Sequence, residues 1–578
     1  MAVSSVVAID PRAQAHCRRW DALYTDLSLW LPTWQDLTEL ILPRKANINL
    51  RRSPGRTQTE RMLDGTAPHS LELLAASMQG SLTSQAIRWF YYRVRGIAYG
   101  SNPEMDVWLE ETGESVYDEL KWSNFSAEAH EFYTDLGCLG TAAMFIERKE
   151  PRPGAPWTGL RFKTLGPGTF AIDENDEGRV DTLYYKYKLS ARQSMQKFKM
   201  ENLPDEIRRH LVSGQDPDRT FEFINCIYPR SDKWIDAKSL IPSNLPFASL
   251  HISLDYKRIV KESGYHEFPF AVGRWTKSSD EKYGRSPGYT ILADIKTLNK
   301  LIELKLRALA NKVYPPMKVR DDGVLGTVRL SPGALTHVRD MDAVEPLLGD
   351  RDGVQTGMLQ EDKLQAGIRR GFFSDQLQLQ EGPQMTAYEV QVRYELMQRI
   401  LGPTLGRLEV EFLEPVITRG YRIMERAQRF TSPPASMMES LKKQGRGFDI
   451  EYEGPLQRAQ RLGDVVTIQR CFQLVLPLVQ ADPKILDNYD LDETARVITK
   501  NTGAPARIIR SAEKVAEMRA ARAAQQQQQN QQMQLTEGAK AAGAAAPALK
   551  ALVEAGQTGA LPAPTPAFTP PVTGGIGA

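Results

Sequence analysis

The chain has 578 residues, 41% hydrophobic and 25% charged, a globular composition long enough for roughly three or four domains of ~100–200 residues. Lys and Arg number 73 against 71 Asp and Glu, so the net charge is +2, which excludes a protein that coats nucleic acid by bulk charge but leaves room for a local basic patch. Four cysteines, Cys17, Cys138, Cys226 and Cys471, share no metal-ligand spacing and are too few to staple such a chain, so ordinary thiols in a reducing compartment are expected. Met1–Leu29 lacks the charged start and apolar block of a secretory signal, and no apolar run reaches the ~18 residues of a membrane span. A soluble protein, intracellular at synthesis, is expected.

Residues 1–150 read as mostly helical. Leu71, Leu74, Ala75, Met78 and Leu82 line one helix face after the turn Asp64-Gly65-Thr66-Ala67-Pro68, Trp89–Val94 reads as a strand, and a helix follows over Pro103–Ser123. Residues 150–275 turn β-rich: Leu183, Tyr185, Tyr187 and Leu189 alternate with Tyr184, Lys186 and Lys188, which predicts a strand with one apolar face. Phe221–Tyr228 and Phe247–Lys257 are further strands, and Ala191–Met200 an inserted helix. The strongest helix spans 286–313. Ser286-Pro287 caps it, Ile291, Ile295, Leu298, Ile302, Leu306 and Leu309 form its stripe, and Tyr314-Pro315-Pro316 stops it. About 25 residues at 1.5 Å each make a rod of roughly 38 Å.

Turn-rich sequence over 317–357 carries β-like pieces at Val324–Leu330 and Leu335–Val338, and a second helix covers Gln360–Phe373. Ser374–Gln384 is a polar loop bearing Gln376, Gln378, Gln380 and Gln384, and Thr386 and Glu389 then form a capping box. The long helix after it is expected to bend near Gly402-Pro403, meet Pro415 and run to about Arg429. Residues 455–523 are helical, and the Gln-rich, then Ala/Pro/Gly-rich stretch 524–578 is expected to be disordered.

The chemistry of common sites is missing. There is no phosphate loop, no His-Glu-x-x-His, no Cys-x-x-Cys and no Gly-x-Gly-x-x-Gly after a strand, so no cofactor, metal or catalytic residue is assigned and no enzyme is expected. Gly284-Arg285-Ser286-Pro287-Gly288 fits a nucleophile elbow, but Pro287 has no N–H for the oxyanion hole, which leaves a helix cap. Asp173-x-Asn175-x-Glu177-Gly178 begins like a calcium loop, yet Tyr184 stands where a bidentate carboxylate is required, which leaves a hairpin turn. The rod at 286–313 carries Lys296, Lys300, Lys305, Arg307 and Lys312, partly offset by Asp294 and Glu303. This face is either plainly solvated or turned to a neighbouring copy or a phosphate backbone.

Four ordered blocks carry a family resemblance over roughly residues 20–430. They are Leu63-Asp-Gly-Thr-Ala-Pro with Arg88-Trp89-Phe90, Thr169–Asp181, Arg274-Trp275 with Tyr283-Gly-Arg-Ser-Pro-Gly288 and Leu292–Asn299, and Met385–Val390 with Leu401-Gly-Pro and Glu414-Pro415. They resemble the head-to-tail connector, or portal protein, of short-tailed double-stranded DNA bacteriophages. The resemblance implies an α+β, mainly helical portal fold. Its wing would be 1–285, with the β-rich subdomain at 150–275, and its stem helices 286–313 and 358–373. The clip would be 314–357, the channel (tunnel) loop 374–385, and the bent wing helix with its following strand 386–454. The crown and barrel would be 455–523.

It further implies a dodecameric homo-oligomeric ring at one capsid vertex, through which DNA is packaged and ejected with non-specific contact only. The implied partners are the major capsid protein, scaffold, the terminase large subunit and a tail adaptor, with no membrane. The protein would be made in the host bacterial cytoplasm and reside in the virion. Lys296, Lys300, Lys305, Gln376, Gln378, Gln380 and Gln384 would face the DNA channel. Another virion structural protein, such as a scaffold or internal core protein, is the alternative.

Overall fold

The computed structural model describes residues 10–48, 61–86, 88–94, 102–150, 157–212, 216, 218–231, 239, 241–313, 317–320, 322, 344–346, 353–377, 402–435, 437, 449–452, 455–481, 483–502, 508, 510 and 514–534. Among the described residues, five helices come first: α1 (Pro11–Ser28), α2 (Leu31–Ile41), α3 (Thr66–Leu82), α4 (Pro103–Trp122) and α5 (Phe125–Leu139), with β1 (Phe90–Arg93) between α3 and α4. Their starts follow local chemistry. Asp10 and Asn102 each accept a backbone N–H from the first turn of the helix they precede, and a proline follows each cap.

Eight strands come next: β2 (Thr141–Arg148), β3 (Leu160–Thr164), β4 (Phe170–Glu174), β5 (Val180–Ser190), β6 (Thr220–Pro229), β7 (Phe247–Ser253), β8 (Arg258–Tyr265) and β9 (Phe270–Arg274). They form two antiparallel sheets, ordered β3-β2-β9 and β4-β5-β6-β7-β8. Between β5 and β6 lie α6 (Ala191–Lys197), started by a Ser190–Gln193 capping box, and α7 (Asp205–Val212). Phe145 and Tyr185 meet Phe270 where the two sheets face each other, with ring centroids 5.0 and 5.9 Å from it.

One expected strand face needs correction. Tyr184 was placed on the polar side of β5, but it is buried, its hydroxyl 2.9 Å from His16 Nδ1. Helix α1 covers the face that strict alternation left to solvent, so the centre of β5 is buried on both sides.

The rod is α8 (Pro287–Val313), and α9 (Gly353–Gly371) packs against it. Helix α9 begins at Gly353, ahead of the 358 expected for the second long helix. Between them β10 (Met317–Val319) pairs antiparallel with β11 (Val344–Pro346), a pairing the turn-rich sequence did not single out. The expected β pieces Val324–Leu330 and Leu335–Val338 lie outside the described residues. Ser374–Leu377 forms a short helix, α10, where a polar loop was expected to begin.

The long helix α11 is described from 402 and combines 402–408, a π-helical turn Glu409–Leu413 and Glu414–Arg426. Pro403 sits within helix, and the residues ahead of 402 lie outside the described set. The described distortion falls at the other proline. Pro415 cannot donate a helix hydrogen bond, and immediately before it the Glu414 N–H reaches back to the Glu409 carbonyl. β12 (Asp449–Tyr452) pairs with β1, tying the chain's return to the N-terminal helices.

The C-terminal helices are α12 (Pro455–Ala481), α13 (Leu491–Thr502) and α14, residues 514–534. Helix α14 corrects the expected disorder from 524: the glutamine tract continues a helix that starts in the alanine-rich segment before it. Glutamine is an adequate helix former, so loss of hydrophobic content did not mean loss of helix. Residues 535–578 lie outside the described set. Among the described residues no helix is long and apolar enough to cross a membrane.

Candidate functional site

Helix α8 starts at Ser286, whose buried hydroxyl accepts the Tyr289 N–H at 3.0 Å and donates to the Cys138 carbonyl at 2.6 Å. The Gly-x-Ser-x-Gly match is therefore a helix cap tied to the end of α5. The calcium-like loop is a hairpin: Asn175 accepts the Arg179 N–H at 2.8 Å, and Gly178 takes a positive φ of 75°. Among the described residues no three His, Cys, Asp or Glu side chains converge to hold a metal ion.

The first half of α8 and the end of α9 are locked into the surrounding core. Ile291, Ile295 and Leu298 are buried, as are Ile368 and Phe372 near the end of α9. Gly371 lies so close to Ile291 that a Cβ there would collide with it, and this lets the two helices converge. Buried Asn299 donates to the Ile295 carbonyl and accepts the N–H groups of Leu63 and Asp64, at 2.7 and 3.3 Å. Asp64 caps α3 through the Thr66 N–H and also accepts from Gln365 of α9 at 3.0 Å. The Leu63-Asp-Gly-Thr turn thus joins the start of α3 to both rods. A polar residue beside an apolar helix stripe was the available signal for Asn299, and sequence reading missed it.

Farther along, the rod leaves its cover. Leu306 and Leu309, expected in the buried stripe, are 52% and 39% exposed, and Leu304 and Val313 are exposed too. Met358 and Leu359 of α9 are exposed as well. The apolar stripe read from sequence is real, but one copy of the chain covers only its first half.

The three lysines expected to face DNA all have carboxylate partners in the same chain. Lys296 bonds Asp36 of α2 at 2.6 Å, Lys300 bonds Glu303 at 2.8 Å, and Lys305 bonds Glu361 of α9 at 2.6 Å. Glu303 also pairs with Arg307, and the bond from Lys300 holds its carboxyl below the usual range. The exposed Lys300–Glu303 pair contributes little stability, while the Lys305–Glu361 pair is half-buried between α8 and α9. Gln376 lies in α10, while Gln378, Gln380, Gln384 and the capping pair Thr386 and Glu389 lie outside the described residues.

A second cluster ties the two sheets to α11. The Arg274 guanidinium is buried at the end of β9. It donates to Glu411 in the π turn at 2.6 Å, to Glu174 at the end of β4, and to the Gly178 carbonyl of the hairpin at 3.1 Å. The Arg274 backbone N–H also donates to Glu411, at 2.9 Å, and Lys277 bonds the far oxygen of Glu174. Nearby, buried Arg419 of α11 donates to the Ile146 carbonyl at 2.8 Å and to Glu267. Desolvation pushes the Arg419 pKa down to about 10, so it stays charged at neutral pH. Two arginines therefore pin α11 to the strands across its distorted turn.

The described chain thus has helices around a β-rich region and a two-helix rod that outruns its own core. Residues 13–509 match the family described as bacteriophage head to tail connecting protein, and the chain belongs to that family. Its function is accordingly that of a phage portal, structural and not enzymatic. The probable portal protein of Bordetella phage BPP-1 is 28% identical over 513 residues, 87% of this chain and 89% of that one. The portal protein of Salmonella phage epsilon15 is 24% identical over 498 residues, 84% of this chain and 86% of that one. Among solved structures, the neck of a native gene transfer agent particle aligns with 75% of this chain and 89% of that one, at 12% identity and a TM-score of 0.33.

Proposed function

We propose that copies of the chain close into a ring, dodecameric by expectation, at one capsid vertex. The paired rods α8 and α9 would form the wall of its axial passage for double-stranded DNA. The observation that carries this reading is the apolar half of the rod, Leu306 and Leu309 above all, left exposed in a member of the connector family. A closed ring needs two different, complementary flanks on each subunit, and an uncovered apolar strip supplies one of them. DNA would meet lysines 296, 300 and 305 already paired with carboxylates, and weak contact suits passage in both directions.

In this reading Gln376, Gln378, Gln380 and Gln384, just past the base of α9, lie along the passage. Its partners in this reading are the tail adaptor, the terminase large subunit, the major capsid protein and scaffold. The protein is made in the host cytoplasm and ends in the virion. Images of the purified full chain test the proposal: closed rings with a central hole support it, and monomers or filaments alone overturn it.

The lysine pairs allow a sharper test of the wall. Lys305→Glu sets two half-buried carboxylates against each other between α8 and α9, and a destabilisation on the order of 1 kcal/mol or more is expected. Adding Glu361→Lys restores the pair with its charges exchanged. DNA packaging recovers in the double variant if Lys305 serves the stem, and stays impaired if Lys305 itself contacts DNA. The restoration is the expected result.

A further inference from the structure

Between α11 and the strands lies a cavity of about 460 Å³, beside the Arg274 cluster. Phe268 and Val272 line it from the strand side, and Val410 and Pro415 from the distorted turn of α11. Glu177 and Arg179 of the 175–179 hairpin also border it. Apolar walls with a few polar groups, at this volume, are the makings of a small-molecule site.

The carboxylates that line the cavity each have a cation. Glu411 accepts from Arg274 at 2.6 Å, both oxygens of Glu267 accept from Arg426 at 2.6 and 3.0 Å, and exposed Glu177 has Arg179 at 3.9 Å. Arg419 is less well served. It is 5% exposed, its Nε donates to the Ile146 carbonyl and its Nη1 to Glu267, but among the described residues Nη2 makes no hydrogen bond. The hydroxyl of its neighbour Thr418, also on the cavity, makes none either among the described residues. A buried cationic donor short of an acceptor costs free energy, and an anion delivered to it removes that cost.

We propose that this cavity binds a small organic carboxylate, its charged end on Arg419 Nη2 and the Thr418 hydroxyl and its apolar body against Phe268, Val272, Val410 and Pro415. Charge-assisted bonds to a guanidinium favour a carboxylate over a neutral amide of the same shape. A phosphate fits less well, because its further charge and oxygens would face the apolar walls and the carboxylates of Glu267 and Glu411. The bound acid bridges α11 to the strands where Arg274 and Arg419 already hold them, and so stiffens that junction. One copy of the chain supplies every contact, so the proposal stands apart from the ring reading.

Titration calorimetry of the full chain at neutral pH tests it, with 3-phenylpropanoate as the probe and 3-phenylpropanamide as its neutral counterpart. The carboxylate is expected to bind saturably with a Kd of about 1 mM or tighter, ordinary for a ligand of about 11 non-hydrogen atoms, and the amide about tenfold more weakly. Val410 is 47% exposed, so Val410→Trp should fold and fill the cavity, and binding should be lost. Thr418→Val keeps the side-chain shape, disturbs the turn less, and should weaken the carboxylate about fivefold while leaving the amide within about twofold. No saturable binding up to ~20 mM carboxylate, equal affinity for carboxylate and amide, or undiminished binding by both folded variants overturns the proposal. Binding by isolated subunits but not by rings overturns it as well, and assigns the cavity to a neighbouring copy.

Discussion

Arg274→Met is expected to destabilise the folded wing by about 3–5 kcal/mol, the usual consequence of removing one partner from a buried ion pair. The guanidinium is almost fully buried and spans three segments: the end of β4, the 175–179 hairpin and the π turn of α11. Without it, Glu411 is left in a largely buried position facing the empty place of its partner, whereas Glu174 keeps Lys277 at 2.6 Å. The loss should therefore be felt mainly through Glu411, and Arg274→Met with Glu411→Leu should recover much of it. Arg274→Lys keeps the charge but cannot make the fork of bonds, so it should fall between the two. Thermal or urea unfolding of the purified variants gives the order. Equal stability of the single variant and the unmodified chain would show that the cluster does not hold α11.

Leu306→Asp with Leu309→Asp is expected to abolish ring formation while leaving the subunit folded. Both side chains are already exposed in the single chain, so charging them removes little that the subunit itself uses. In a ring the same side chains would be covered, and burying a leucine contributes about 1.5–3 kcal/mol. Burying an aspartate without a partner costs more than that gain, and the cost recurs at every interface. Light scattering should report monomers with a nearly unchanged melting curve. Leu298→Asp is the contrasting variant: Leu298 is fully buried against the wing, and its replacement should prevent folding altogether. Rings at normal yield from the double aspartate variant would remove the stem from the interface.

Features set by neighbouring residues were legible in the sequence. The Ser286-Pro287 cap, the stripe through Leu298, the 173–178 hairpin and the turn before α3 all rest on contacts within a few positions. The cluster around Arg274 was not legible, because Glu174 and Glu411 stand 100 and 137 residues away. The same distance hid the partner of Lys296, since Asp36 is 260 residues off, so a lysine that looks free in the sequence is paired in the fold. Tyr184 failed for a related reason: its strand alternates correctly, but α1 arrives from the start of the chain and covers the second face. The glutamine tract misled in the opposite direction. Its composition lacks the apolar surface of a core, but the helix it continues does not depend on a core within its own subunit.

Where the two rods sit within the assembled particle tests the central claim most directly. A reconstruction of the purified oligomer should show a closed ring with α8 and α9 facing the axis, and Leu306 and Leu309 covered by the adjacent copy. Rods on the outer rim, or leucines still open to solvent in a complete ring, would contradict the account.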